Sequence, residues 1–233
     1  MKIVSIIQAR TGSSRFPRKM LANLRNKPLI EWVLARSARS KLTDLVVLAT
    51  SDLERDDALE KEARRLGIEC FRGSESDVLG RYAAAARKYK ADVVVRICGD
   101  RPLVDPECID LAIDTFKQGG SDLVFNHISD GDQRWPRGFG VEVLTNEILQ
   151  WLDSHVEDSS HREHVTLYMW DHRSKYEILA AECPAEMDPG ITDVLFDVDH
   201  PADLEKLEVL CQGEGIDVAG LQIVKKWLTS VRN

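Results

Sequence analysis

Short, β-branched, apolar runs alternate with amphipathic segments along this chain, and that alternation narrows the possible folds more than any other feature. Ile3-Val4-Ser5-Ile6-Ile7, Leu45-Val46-Val47-Leu48-Ala49 and Val93-Val94-Val95-Arg96-Ile97-Cys98 are nearly continuous hydrophobic runs, the pattern of strands covered on both faces. Between them, the spacing predicts a helix from Pro28, a charged helix from Glu54 to Leu66 ended by Gly67, and a helix from an Asp77 cap to about Tyr89. Beyond Cys98, a helix is expected from Pro106 to Lys117 and strands at Leu123 to Phe125, Gly140 to Leu144, near 176–181 and from Val194 to Val198. Asn146 to His172 reads as helical, and further helices are expected around 202–211 and 221–231. This order calls for an α/β fold, a mostly parallel or mixed sheet with helices on both faces. At 233 residues the chain can bury roughly 70–75% of its unfolded surface, so it needs no disulfide or metal staple. A single domain is expected. Residues 127–192 read either as part of the sheet or as an inserted subdomain, with the irregular stretch 127–139 as a candidate substrate loop.

The charge is placed unevenly. Residues 1–30 hold seven cations and no Asp or Glu, whereas the rest carries 24 cations against 39 acids. A cationic segment on an acidic body points to a local anion site and away from a broad nucleic-acid surface. No apolar run approaches the ~18–20 residues that a membrane span requires. The N-terminus enters a strand-like run without a signal-peptide pattern. Five cysteines without a C-x-x-C pair read as buried free thiols in a reducing compartment, and a cytoplasmic location is expected.

In an open α/β sheet, ligands bind beyond the carboxyl ends of strands. The first such end carries Gln8-Ala9-Arg10-Thr11-Gly12-Ser13-Ser14-Arg15-Phe16-Pro17-Arg18-Lys19, which matches neither the dinucleotide nor the Walker A fingerprint. Its small residues Gly12, Ser13 and Ser14 allow close backbone approach, and its flanking cations suit phosphates. A polyphosphate fits that chemistry better than a single carboxylate. A second end carries Cys98-Gly99-Asp100-Arg101-Pro102, and a third Phe196-Asp197-Val198-Asp199-His200-Pro201. Asp100 and Asp199 could together hold Mg²⁺, which takes one or two carboxylates plus substrate phosphates. Strand alternation would put Asp197 and Asp199 on one face, so that both reach the site, whereas Asp199 has a competing role as N-cap of the helix opening at Pro201. Arg101 reads as a substrate contact or as the partner of Asp105. Arg134 and Arg137 either hold a carboxylate bidentately or lie on a surface loop. His161 and His164 suit packing or sugar contact better than a metal. Trp151, Tyr168 and Trp170 suit a core or dimer interface.

These residues resemble a family. Residues 6–19, Ser76-Asp77-Val78-Leu79-Gly80-Arg81-Tyr82, Ile97 to Pro106, Arg162-Glu163-His164-Val165-Thr166 and Val198 to Glu205 together look like the CMP-sugar cytidylyltransferases. The similar branch is that of the SpsF-type spore-coat polysaccharide proteins, related to the KDO and acylneuraminate cytidylyltransferases. Gln8 stands where the KDO branch has Pro, and Gly80 and Gly140 stand where many SpsF-like sequences have Asp.

The resemblance implies a nucleotide-diphospho-sugar transferase fold, GT-A-like and Rossmann-like. It implies a Mg²⁺-dependent transfer of CMP from CTP to a sugar acid of the 2-keto-3-deoxy or nonulosonic type, with pyrophosphate released, in surface-polysaccharide synthesis. Arg15, Lys19 and Asp100 would be catalytic. Gln8, Ala9, Arg10, Gly12, Ser13, Ser14, Arg15, Lys19, Asp77, Arg81 and Gly99 would line the nucleotide. Arg101, Arg134, Arg137, Glu142, His161 and Arg162 would face the sugar, and Asp100 with Asp199 would hold the metal. A homodimer is implied, with neither nucleic acid nor membrane as partner. The residues around Ala9 leave the base open, so another triphosphate such as GTP with an amino sugar stands as an alternative. A glycosyltransferase on the same fold suits the Arg-rich loop less well, and Asp100, Asp199, Arg15 and Lys19 argue against a nucleotide-binding protein that has lost turnover.

Overall fold

The structure is a computed structural model, and it describes residues 1–126, 135–191 and 194–232. Its main sheet contains β1 (Ile3–Gln8), β4 (Leu45–Ser51), β5 (Glu69–Gly73), β6 (Val93–Cys98), β7 (Leu123–Phe125), β8 (Val141–Thr145) and β9 (Ile178–Ala180), in the spatial order β5-β4-β1-β6-β8-β7-β9. The four strands from β5 to β6 are parallel, β8 runs antiparallel to both β6 and β7, and β9 is parallel to β7. The expected mixed α/β sheet is therefore the one found, and 127–192 contributes β8 and β9 to it. A separate hairpin joins β2 (Asn23–Leu24) to β3 (Lys27–Pro28). Its two turn residues, Arg25 and Asn26, have φ of 51° and 63°, the geometry that matches strand twist in a two-residue turn.

Strand alternation sorts the apolar side chains onto two faces. On one, Ile3, Ile7, Val95 and Ile97 pack with α1 (Leu29–Ser37), α2 (Asp57–Arg65), α4 (Pro106–Lys117), α8 (Pro201–Leu210) and α9 (Gly220–Arg232). On the other, Val4, Ile6, Val47 and Val94 pack with α3 (Val78–Lys88), α5 (Asn146–His155) and α7 (Leu167–Asp171). Local signals start the helices as expected. Asp77 accepts from Gly80 N at 2.9 Å to cap α3. Asp105 accepts from Glu107 N at 3.0 Å, with Pro106 as the first residue of α4.

Two expectations fail. The stretch 146–172 is three helices, because Val156 is extended and Asp158 starts α6 (Ser159–Glu163) by accepting from Ser160 N and His161 N at 2.9 and 3.1 Å. Val194 to Val198 is not a strand, since only Leu195 forms a bridge, to Arg137. This segment instead crosses the sheet's end, with Phe196 N donating to Arg137 O at 3.0 Å and Val198 N to Asp100 O at 2.9 Å. Phe196 and Val198 are fully buried, each worth roughly 1.5–3 kcal/mol, which holds Asp199 in place. Gly138, at φ 103°, lets that segment pass, since a Cβ there would stand 2.8 Å from the Phe196 carbonyl carbon. All five cysteines are free, with Cys108 and Cys211 buried and the other three only partly so.

Candidate active site

The strand order reverses between β1 and β6, because β4 flanks β1 on one side and β6 on the other. Such a switch point opens a crevice beyond the strand ends. Gln8 pairs with Cys98 in register, and Gly99 N donates to Gln8 O at 2.8 Å. A Cβ on Gly99 would lie 2.7 Å from that oxygen, so glycine is what allows the strands to end so close together.

The loop after β1 is internally braced. Thr11 O accepts from Ser13 N at 2.9 Å and Arg18 N at 3.1 Å, and Ser13 Oγ accepts from Phe16 N at 3.2 Å. Arg18 closes the loop with φ 58°; its side chain is exposed and off the cavity. Asp56, wholly buried, accepts from Thr11 N at 2.8 Å and Thr11 Oγ1 at 2.5 Å and also from Ser51. Burial opposes its ionisation, but the hydrogen bonds from Ser51 and Thr11 outweigh burial and hold its carboxyl below the ordinary value. In the sequence, Asp56 is one of the charged residues of the helix expected from Glu54 to Leu66, and nothing local marks it as buried.

The loop delivers Lys19 to the two expected metal carboxylates. Its side chain is 8% exposed, and Nζ donates to Asp100 Oδ2 at 3.0 Å, Asp199 Oδ1 at 3.1 Å and Val198 O at 2.7 Å. Arg15 Nη2 reaches the same Asp199 Oδ1 at 3.0 Å. Asp199 is not the helix cap, because Asp203 serves that turn by accepting from Asp199 N at 2.9 Å and His200 N at 2.7 Å. The Asp199 carboxylate is thereby left to the cations. Asp197 sits beside Arg101 and Asp100 with Oδ1 buried and unpartnered, and burial raises its pKa. It is not among the residues lining the cavity.

The cavity holds about 440 Å³ and is lined by Gln8, Ala9, Arg10, Gly12, Ser13, Ser14, Arg15, Lys19, Arg81, Gly99, Asp100, Arg101 and Asp199 among the expected residues. Met20, Val78, Arg96, Cys98, Glu163 and His164 join them. Two of its cations are held by neighbouring acceptors. Arg10 Nη2 meets Glu163 Oε1 at 2.6 Å, and Arg81 Nη1 donates to Ser74 O at 2.5 Å. Burial lowers the Arg81 pKa. Arg101 donates to Gly140 O and is not paired with Asp105, whose second oxygen accepts from Leu221 N at 3.0 Å. Burial works against the Arg101 charge, but Cys98, Asp100 and Asp197 raise its pKa overall.

Five expected site residues stand off this cavity, each with a structural partner. Arg162 grips Asp77 through Nε and Nη2 at 2.8 and 2.7 Å, and also Asp153 at 2.7 Å; that ion pair keeps the Asp77 carboxyl below its ordinary value despite burial. Glu142, 2% exposed, meets Arg96 at 2.5 Å and accepts from Thr166 Oγ1 at 2.9 Å, so it braces a cavity residue from behind. His161 pairs with Asp171 at 2.8 Å. Arg137 is exposed, and its carbonyl holds Phe196. Arg134 lies outside the described residues. Arg96 was missed because a single charge inside a buried strand run reads as an interruption; its signal was the acid placed opposite, Glu142.

Six cations and three carboxylates line the cavity among the described residues, an excess suited to a polyphosphate. No described group of three or more His, Cys, Asp or Glu could hold a metal unaided. Asp100 and Asp199 nonetheless converge on one cationic point, and two carboxylates completed by phosphate oxygens make a hard-cation donor set.

The family described as Cytidylyltransferase matches residues 4–223. The spore coat polysaccharide biosynthesis protein SpsF of Bacillus subtilis is 34% identical over 95% of this chain and 92% of its own length. A cytidylyltransferase structure from Leptospira borgpetersenii is 28% identical with a TM-score of 0.89, covering 100% of this chain and 96% of that one. The structure of a CMP:2-keto-3-deoxy-manno-octonic acid synthetase complexed with CTP shares the fold, with a TM-score of 0.68 at 20% identity over 91% of this chain and 99% of that one. With a family match spanning nearly its whole length around this cation-lined crevice, the chain belongs to the cytidylyltransferases.

Proposed function

We propose that the chain transfers CMP from CTP to a sugar acid in a Mg²⁺-dependent reaction that releases pyrophosphate. The observation that carries this reading is the meeting of Lys19, Arg15, Asp100 and Asp199 at the switch point of the sheet. Ser13, Ser14, Arg10 and Arg15 bind the triphosphate, and Ala9 and Gly99 leave room for the nucleoside. A hydroxyl of the acceptor attacks the α-phosphorus and gives up its proton to solvent, its new P–O bond forms as the bond to the β-phosphate bridge breaks, and pyrophosphate leaves with that electron pair. Arg15 and Lys19 neutralise the charge that gathers on the leaving group, because preorganised cations cost no reorganisation in the transition state. Asp100 and Asp199 hold Mg²⁺, which when bound supplies further charge neutralisation at the phosphates. Arg81, which donates to Glu75 O as Arg10 does, adds positive charge beside the triphosphate, and Arg96 and Arg101 line the same cavity with the positive character that an acidic acceptor needs. The name of the SpsF relative favours a sugar destined for a surface polysaccharide, and that of the octonic acid synthetase of like fold favours a sugar acid.

The test is pyrophosphate release with Mg²⁺, each of the four ribonucleoside triphosphates, and a panel of sugar acids and amino sugars. Release that requires CTP and one sugar acid supports the reading. Release with GTP and an amino sugar replaces it, and absence of release and of nucleotide binding removes it.

A further inference from the structure

Resting on that reading, and concerning the same site, we propose that Lys19 is a built-in counter-cation. It keeps the Asp100–Asp199 pair closed to free divalent metal and yields the pair only to metal that arrives with a polyphosphate. Lys19 Nζ lies within 3.1 Å of one oxygen from each carboxylate and 2.7 Å from Val198 O. It therefore occupies the point on which both acids converge. Arg15 shares the Asp199 oxygen, so two cations already balance the two carboxylates.

A bare dication meets no uncompensated charge there, and it meets at contact range the ammonium of Lys19, which is itself buried although Asp100 and Asp199 open onto the cavity. A triphosphate changes that balance. Its charge gives Lys19 and Arg15 new acceptors, and Gly12, Ser13 and Ser14 open onto the same cavity. The four-carbon stem of lysine allows its point charge to swing across a short distance, which a planar, forked guanidinium does less readily. Metal and nucleotide binding are thereby coupled in both directions, as linkage requires. Lys19 serves the metal site as a positioning residue as well as contacting phosphate.

The probe is Mn²⁺ alone, with free metal counted by electron paramagnetic resonance, titrated into the wild-type chain and into K19M, K19Q, K19R and the double variant K19M/D100N. The expected result is that K19M and K19Q bind one Mn²⁺ at least ~10-fold more tightly than wild type. K19R is expected to match wild type, and the added Asp100→Asn change to remove the gain. K19M and K19Q folded, by far-UV circular dichroism, yet binding Mn²⁺ no better than wild type, would overturn the proposal. A reading without variants is water-proton relaxation of wild type, in which protein-bound Mn²⁺ should appear only once CTP is added; equally tight binding of Mn²⁺ alone also overturns it. The two readings fail separately. Wild type that releases pyrophosphate while K19M gains no metal defeats the counter-cation alone. K19M that gains metal in a chain releasing no pyrophosphate defeats the nucleotidyl-transfer reading alone.

Discussion

Asp56 accepts both the backbone N–H and the hydroxyl of Thr11, at 2.8 and 2.5 Å, and so ties the cation-bearing loop to the chain that follows β4. Replacing Asp56 by Ala leaves buried donors on Thr11 and Ser51 without their acceptor, at roughly 1–3 kcal/mol for each group. We expect D56A to lose stability in urea unfolding and to weaken CTP binding, although Asp56 does not line the cavity.

The same carboxyl sets an acid limit. Asp56 and Asp77 are both held below their ordinary values in the fold, each against burial, the first by bonds from Ser51 and Thr11 and the second by Arg162. A depressed folded pKa gives stability that is fully present above the unfolded value of about 4 and is lost as pH falls through the folded one. The thermal midpoint should therefore drop on acidification from about pH 5 toward pH 3. D56N should show a shallower drop, and an equal slope in both proteins would refute the assignment.

Arg96 and Glu142 face each other across β6 and β8, almost out of solvent, at 2.5 Å. Breaking such a pair strands a buried charge at a cost of about 3–5 kcal/mol, whereas replacing both partners costs far less. R96M and E142L should each destabilise strongly, and the double variant should cost less than either alone. Additive effects in the double-mutant cycle would show that the two side chains are not coupled.

Arg162 joins α6 to α3 by gripping Asp77 and also donates to Asp153 O and Val156 O at 3.0 and 2.7 Å. R162A should cost about 2–4 kcal/mol by orphaning several partly buried groups at once. H161A, which loses contacts with the largely exposed Asp158 and Asp171 and ring contacts with Tyr168 and His172 but strands no buried charge, should cost less than R162A. Equal losses in urea unfolding would contradict this division.

The legible parts of the chain are those whose cause is local. Val93–Cys98 and Pro106–Lys117 fall where the β-branched run and the Asp105-Pro106 pair put them. The loop from Gln8 to Lys19 gathers with Asp100 and Asp199 at one cavity, which small residues and cations after a strand already suggest, although the segment before Asp199 is not a strand. What was hidden depends on contacts distant in sequence. Asp77 and Arg162 look like ligand contacts until the fold joins them across 85 positions, and Asp56 looks like a surface acid until Thr11 comes to it. Val194 to Val198 has strand composition, but its place across the sheet's end is set by Asp100 and Arg137. Composition cannot show that. Nor could the sequence weigh Asp199 as cap against Asp199 as cation partner, a choice decided by the cap falling on His200, with Asp203 accepting from the N–H groups of Asp199 and His200.

The central claim is that Lys19, Arg15, Asp100 and Asp199 form a triphosphate–metal site. Calorimetric titration of CTP into wild type and K19M without divalent metal, where a gain of metal by K19M cannot offset the lost phosphate contact, tests it most directly. The account predicts saturable binding at one site in wild type and at least ~10-fold weaker binding in K19M, the loss of one charge-assisted contact. Wild-type protein that binds no CTP, or K19M that binds it as tightly as wild type, would contradict the account.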